Sequence, residues 1–326
     1  MRAVLIGLGS IGLRHLGNMR LAEPDAEIIV VRHARSADAV PPGADRVVYS
    51  IEEAVAARPD VAFICGPTSL HAEYCLAMLE ARAHVFVEKP IAPDAPSAER
   101  VILAAEAADR ALIVGYNLRF LPSLRALKKA LDAGAIGRPL SARVEVGQYL
   151  PDWRPGTDYR KSNTAVAILG GGIELELSHE LDYIGWLLGE PASVNAVFAR
   201  CSDLEVEGDD TAEMILHMRS GALVNVHMDL IQRAPTRTCR IIGTDGTLVW
   251  DGINGTVMQY LPGDGWSTVF DGDGERNDMY TREIQHVFAC ARRETSPLVS
   301  GREALQTVRV ANAARASSNT GRKVIL

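Results

Sequence analysis

A basic excess, long apolar runs and clustered cysteines are all missing from this chain, and each absence removes a class of function. Lysine and arginine number 34 against 41 aspartates and glutamates, a net charge of −7, whereas a nucleic-acid surface needs a basic stripe. No run approaches the roughly 18 apolar residues of a membrane span. The five cysteines, Cys65, Cys75, Cys201, Cys239 and Cys290, include no C-x-x-C pair. Buried reduced thiols are therefore expected, and neither a disulfide framework nor a zinc site. Three glycines interrupt the apolar N-terminal stretch, which argues against a signal peptide. A cytoplasmic chain with no nucleic-acid or membrane partner is expected. Internal repeats and low-complexity tracts are also missing.

What is present begins at Ala3 to Gly12, AVLIGLGSIG. Ala3 to Ile6 form the apolar run of a parallel strand covered on both faces. Gly7, Gly9 and Gly12 then fall at G-x-G-x-x-G spacing. In such a turn the first glycine permits the bend, the second lets backbone approach a pyrophosphate, and the third lets helix and strand pack closely. The anion would sit on the amides opening the next helix, those of Ser10 and Ile11 among them. A second strand, Glu27 to Val31, ends where cofactor choice is made. There a carboxylate selects NAD and a cation accommodates the 2′-phosphate of NADP. Arg32, Arg35 and Ser36 stand there with no carboxylate at the strand end. NADP is therefore expected, the alternative being that both arginines are simply solvated.

Further strands at Val61 to Cys65, Ala83 to Val87 and Leu112 to Gly115 alternate with helical segments, the pattern of a doubly wound parallel sheet. Ligands lie at the carboxyl ends of such strands, so the turn Gly66, Pro67 to His71 is expected to line the crevice. His71 either touches the cofactor or caps the following helix. The strand ending Glu88-Lys89-Pro90 aims an ammonium into the same crevice, because the proline keeps Lys89 extended. With 326 residues and 47% hydrophobic content two domains are expected: residues 1–118 for the dinucleotide and 119–326 for substrate.

In the second half a helix over residues 122–133 precedes a strand at 140–146. The aperiodic stretch Tyr149 to Asn163 then reads as a surface excursion or a wall of the site, with Arg154, Tyr159 and Arg160 available to a sugar, carboxylate or phosphate. After Gly170-Gly171-Gly172 a helix is predicted over residues 174–188. Glu176, His179, Asp182, Tyr183 and Trp186 succeed one another on it at steps of three or four, and so share a face. From Ala192 onward the pattern turns β. Val224, Val226, Met228 and Leu230 alternate with Asn225, His227 and Asp229, as in a half-buried antiparallel strand. Ser220-Gly221 and Asp245-Gly246 read as hairpin turns. Helices at 278–293 and 302–317 close the chain.

The glycine loop, the GPTSLH turn, the EKP tripeptide, GYNLRF, the triple glycine, the segment around His179 and the closing SSNTGRKVIL together resemble the Gfo/Idh/MocA family of oxidoreductases over essentially the whole chain. The resemblance implies an α/β fold, a Rossmann domain followed by an α+β domain on a large, mostly antiparallel sheet, through which homodimers or homotetramers form. It also implies hydride exchange between NAD(P) and a secondary alcohol of a sugar, cyclitol or sugar acid. Lys89 and His179 are implied for proton transfer beside one nicotinamide, with Glu88 and Asn117 near the cofactor. Asn117, Arg154, Tyr159 and Asp182 are the candidates for substrate. The usual aspartate four residues before the histidine is replaced here by Leu175, and Glu176 stands three before it; Glu176 is the catalytic candidate in its place, the alternative being that it has no catalytic role. Some relatives cleave glycosidic bonds with no net redox change and others are inactive sensors, so these are the alternative activities.

Overall fold

The structure, a computed structural model, describes residues 1–32 and 40–326. It divides into two compact units, residues 1–117 with 277–305, and residues 118–276 with 306–326.

The first unit is built on six parallel strands: β1 (Arg2–Ile6), β2 (Glu27–Val31), β3 (Arg46–Val48), β4 (Val61–Ile64), β5 (His84–Glu88) and β6 (Leu112–Gly115), in the order β3-β2-β1-β4-β5-β6. This is the doubly wound nucleotide-binding order, whose direction reverses beside β1. The residues from Ala3 to Ile6 and from Val61 to Ile64 are all inaccessible to solvent, because helices cover both sheet faces. The helices are α1 (Ser10–Ala22), α2 (Ile51–Ala56), α3 (His71–Glu80) and α4 (Ala95–Ala108). Ser50 caps α2 by accepting from the Glu53 amide, and Asp94 caps α4 by accepting from the Ser97 amide, each satisfying a donor the helix cannot.

The chain passes from the first unit to the second between Asn117 and Leu118, and the first unit is not contiguous. A later helix, labelled α8 below (Asp278–Ala291), belongs to it. Its Ile284, Val287 and Phe288 share one core with Leu16, Met19, Phe63 and Phe86. Phe288 and Phe63 lie 5.6 Å apart between ring centroids. Burying three such side chains stabilises the unit by roughly 1.5–3 kcal/mol each, which explains why the helix joins this core despite its distance along the chain.

The second unit opens with α5 (Pro122–Asp132) and β7 (Pro139–Gly147), followed by short helices α6 (Ile173–Glu176) and α7 (His179–Leu188). Strands β8 (Pro191–Ala199), β9 (Thr211–Met218), β10 (Leu223–Asp229), β11 (Thr236–Gly243), β12 (Thr247–Asp251), β13 (Thr256–Leu261) and β14 (Gly265–Asp271) come next. After α8, α9 (Gly301–Thr320) and β15 (Val324–Ile325) end the chain. The nine strands form one sheet in the order β14-β13-β12-β11-β7-β10-β9-β8-β15. Only the β7–β10 pair is parallel, so the sheet is mostly antiparallel. Both predicted hairpin turns join paired strands, β9 to β10 and β11 to β12. Asp229 departs from the predicted alternation. It is buried and accepts from the amides of Ile231 and Gln232 and from the His227 ring. No helix among the described residues is long and apolar enough to cross a membrane. All five cysteines are free thiols, and Cys201 alone of them is exposed where burial was expected.

Candidate active site

At the β1–α1 turn the three glycines have three separate duties. Gly7 adopts φ +98°, a conformation side chains rarely take, and a Cβ on it would lie 2.7 Å from the Cys65 carbonyl. A Cβ on Gly12 would strike the Gly7 carbonyl oxygen. Gly9 differs from both, with no atom within 4 Å of where its Cβ would be. Two glycines thus close the turn on β4 while the middle one keeps open the approach to the helix amides. Gly9 is also the N-cap of α1 and offers no side chain to it, and the first turn of α1 contains no acid. Ser10 is exposed and Ile11 half-buried at this end. The open cradle and uncapped amides fit the pyrophosphate of a dinucleotide.

At the end of β2, Arg32 is half-buried and its amide donates to the Val48 carbonyl at 2.9 Å. Arg35 and Ser36 lie outside the described residues. At the end of β4, Pro67 precedes a turn of 3-10 helix and the Gly66 carbonyl faces His71 Nε2 at 2.9 Å. The other ring nitrogen of His71, Nδ1, faces the Pro90 carbonyl at 2.8 Å. The ring is buried, which pushes its pKa down. His71 therefore ties the loops after β4 and β5 together through their carbonyls. Neither nitrogen caps α3, which was one of its two expected roles.

At the end of β5, Glu88 accepts from or shares a proton with His15 Nε2 at 2.6 Å and accepts the Lys89 amide at 3.2 Å. Gly115 opposite makes room, since its Cβ would lie 3.3 Å from the Glu88 Cα and Cδ. Lys89 follows, half-buried, with a cis bond to Pro90. Asn117 is buried and its Nδ2 lies 3.3 Å from Met279 Sδ.

In the second unit the predicted helix over residues 174–188 is broken. α6 ends at Glu176, Leu177 leaves the helical path, and α7 restarts at His179 with Ser178 as its N-cap. Glu176 and His179 therefore do not share one continuous helical face, and both are half-buried. Asp182, expected to meet substrate, is buried against Arg119, which donates from Nε at 2.9 Å and from Nη2 at 2.8 Å. The Arg119 guanidinium also lies 5.1 Å from the Trp186 ring centroid. Glu180, wholly buried, accepts from Arg237 Nε at 2.8 Å. These pairs hold the first turn of α7, and with it His179, against α5's approach and the sheet. Of the expected loop residues, Arg154 is exposed, and Tyr159 is half-buried with its hydroxyl accepting from the Glu205 amide at 3.2 Å. Arg160 is paired with Asp158 and Glu205.

Sequence reasoning missed His15, Arg119, Arg237 and Glu283. A signal for the last was present, because Glu283 interrupts the apolar stripe Met279, Ile284, Val287 and Phe288 of α8 at helical spacing. A carboxylate in mid-stripe is a buried polar group in need of an explanation.

A parallel sheet in this order with a glycine cradle beside β1 defines a dinucleotide-binding protein. Residues 1–116 match the family model described as "Oxidoreductase family, NAD-binding Rossmann fold" and residues 128–326 the one described as "Oxidoreductase family, C-terminal alpha/beta domain". The chain belongs to this oxidoreductase family, Gfo/Idh/MocA. It is 29% identical to myo-inositol 2-dehydrogenase of Thermotoga maritima, over 100% of this chain and 98% of the relative. It is 28% identical to inositol 2-dehydrogenase of Rhizobium meliloti, over 96% of each. Among solved structures, WlbA dehydrogenase from Bordetella pertussis in complex with NADH and UDP-GlcNAcA matches at 25% identity and TM-score 0.85, covering 100% of this chain and 98% of that one. Levoglucosan dehydrogenase in complex with NADH and levoglucosan shares the fold, with a TM-score of 0.87 at 22% identity over 100% and 99% of the two chains.

Proposed function

We propose that this oxidoreductase oxidises or reduces a secondary alcohol on a sugar, cyclitol or sugar-acid substrate, with Lys89 and His179 as its proton-handling groups. The observation that carries the reading is the division of labour among Gly7, Gly9 and Gly12, which leaves an open cradle at an uncapped helix start. The relatives named for inositol, and the solved one holding a nucleotide sugar acid, support a polyhydroxylated substrate.

A bound nicotinamide supplies the hydride chemistry. The His179 imidazole takes the proton of the substrate hydroxyl, the general-base role to which an imidazole is suited. The Lys89 ammonium donates a hydrogen bond to the same oxygen and stabilises the developing alkoxide. Arg32 at the end of β2 favours the phosphorylated dinucleotide, and Arg35 and Ser36 complete that reading from the sequence. The apolar side chains exposed on the sheet, Val197, Ile215, Leu223, Ile242 and Trp266, support a homo-oligomer formed through its outer face.

The test is a panel of inositols, sugars and nucleotide sugars with NAD and NADP, followed by reduced-cofactor absorbance. Lys89→Ala and His179→Ala are expected to keep cofactor binding and lose most turnover, and Glu176→Gln measures that carboxylate's share. Wild-type turnover in both alanine variants refutes the roles. Equal affinity for NAD and NADP, unmoved by Arg35→Asp, refutes the cofactor preference.

A further inference from the structure

Glu283 presents a problem that the reaction described above does not use. It is wholly buried on α8, and neither carboxyl oxygen has a hydrogen-bond partner. One ligand atom from Glu283, one from His15 on α1 and one from Glu88 on β5 lie within 4.8 Å of one another. Within the cluster His15 Nε2 and Glu88 Oε1 are 2.6 Å apart, while Glu88 Oε2 receives the Lys89 amide at 3.2 Å. His15 Nδ1 is also buried without a partner.

We propose that Glu283 is a positioning residue: as a neutral acid beside Glu88 it completes, with His15, the cluster that fixes the Glu88 carboxylate and through it the backbone and charge surroundings of Lys89. The inference rests on the role given to Lys89 above.

Two negative carboxylates this close in a dry core repel each other, and an unpartnered buried carboxylate pays the full desolvation cost as well. Burial first, and the Glu88 charge second, push the Glu283 carboxyl well up from its usual range. A neutral carboxyl has one O–H to donate, and the Glu88 carboxylate is the acceptor within reach of a small side-chain rotation. Glu88 then serves three donors: the His15 ring, the Lys89 amide and Glu283. The other ionisable groups facing the cluster are Cys65 after β4, whose thiol is pushed up first by burial and next by the Glu88 charge, and Tyr280, one turn earlier on α8, whose ring centroid is 6.1 Å from that of His15. His71 lies beyond Glu88 and Lys89 and senses both. The 2.6 Å contact between His15 and Glu88 is a hydrogen-bond length, shorter than two ligands of one metal ion keep, and favours a shared proton over a cation.

Glu283→Gln keeps a donor to Glu88 and Glu283→Leu removes it. The leucine variant is expected to lower kcat about tenfold or more with the KM for cofactor little changed, as a misplaced catalytic group does. Glutamine should restore most of that loss. In a Lys89→Ala background the leucine substitution should have no further effect on kcat, which a merely structural role would not produce. Two readouts need no activity and separate this inference from the proposed reaction. The infrared spectrum at neutral pH should contain a protonated-carboxyl band that Glu283→Gln lacks, and the Lys89 titration followed by lysine-selective NMR should be unmoved by Glu283→Gln. A downward shift of Lys89 in that variant marks an ionised Glu283 and overturns the proposal. So does thermal stabilisation of the wild type by Zn²⁺ or Mn²⁺ that Glu283→Gln loses, or an equal fall in kcat from leucine with and without Lys89.

Discussion

Replacing Asp182 by alanine tests whether that residue is a structural anion or a substrate ligand. Arg119 is 4% exposed and Asp182 2% in their side chains, and two hydrogen bonds of 2.8 and 2.9 Å join them. Alanine would leave the guanidinium in the core without its counter-charge. Breaking a buried pair from one side costs about 3–5 kcal/mol, because the surviving ion keeps its desolvation penalty. The Trp186 ring 5.1 Å from the Arg119 guanidinium offsets about 0.5–1 kcal/mol of that at most. The net cost of about 2–4.5 kcal/mol, at about 2–4 °C per kcal/mol for a unit of 150–250 residues, should lower the melting point of Asp182→Ala by about 4–18 °C. Adding Arg119→Met should recover much of the loss, since an apolar pair of similar volume has no ion to desolvate. Calorimetry of the two single variants and the double variant checks this. A single variant that melts within a degree of wild type, while its KM for substrate rises sharply, would refute the structural assignment and return Asp182 to the substrate.

Gly9 and Gly12 should separate binding from folding. Gly9→Ala has open space around the new methyl and should cost under about 1 kcal/mol of stability, yet it should abolish the thermal shift that NAD or NADP produces. Gly12→Ala drives its methyl into the Gly7 carbonyl and should destabilise the apo protein itself by about 1–3 kcal/mol or more, lowering its melting point. His227 provides the pH prediction. Its hydrogen bond to Asp229, against the opposing effect of burial and with help from Glu213, raises its pKa to about 9. A histidine raised on folding contributes stability that is complete below its unfolded value of 6.5 and is lost as pH rises through about 9. Glu213 is half exposed, so the loss should be on the order of 1–2 kcal/mol after solvent screening. Denaturant melts of wild type and His227→Gln across that window should converge as pH rises, and parallel curves would remove the assignment.

Local patterning carried the first unit a long way. The apolar run before Gly7 and the repeated strand-helix alternation are decisions taken within a few residues, and β2 and β6 fall on the predicted bounds. The hairpin turns of the second unit were legible for the same reason, since a turn is specified by the residues in it. Period-two alternation failed at Asp229 because three donors, two from the chain immediately following and one from His227, satisfy a buried carboxylate that the pattern assigned to solvent.

By itself, then, the sequence determined the glycine cradle, the strand ends on which Arg32, Glu88 and Lys89 sit, and the oxidoreductase class, all of which depend on neighbours in the chain. Tertiary structure alone decided the break before His179, the burial of Asp182 against Arg119, and the arrival of α8 in the first unit's core, 195 positions beyond Glu88 when counted at Glu283. The physical reason is that a charge or an apolar stripe declares its need for a partner locally, whereas the identity of that partner depends on which distant segment fills the same volume.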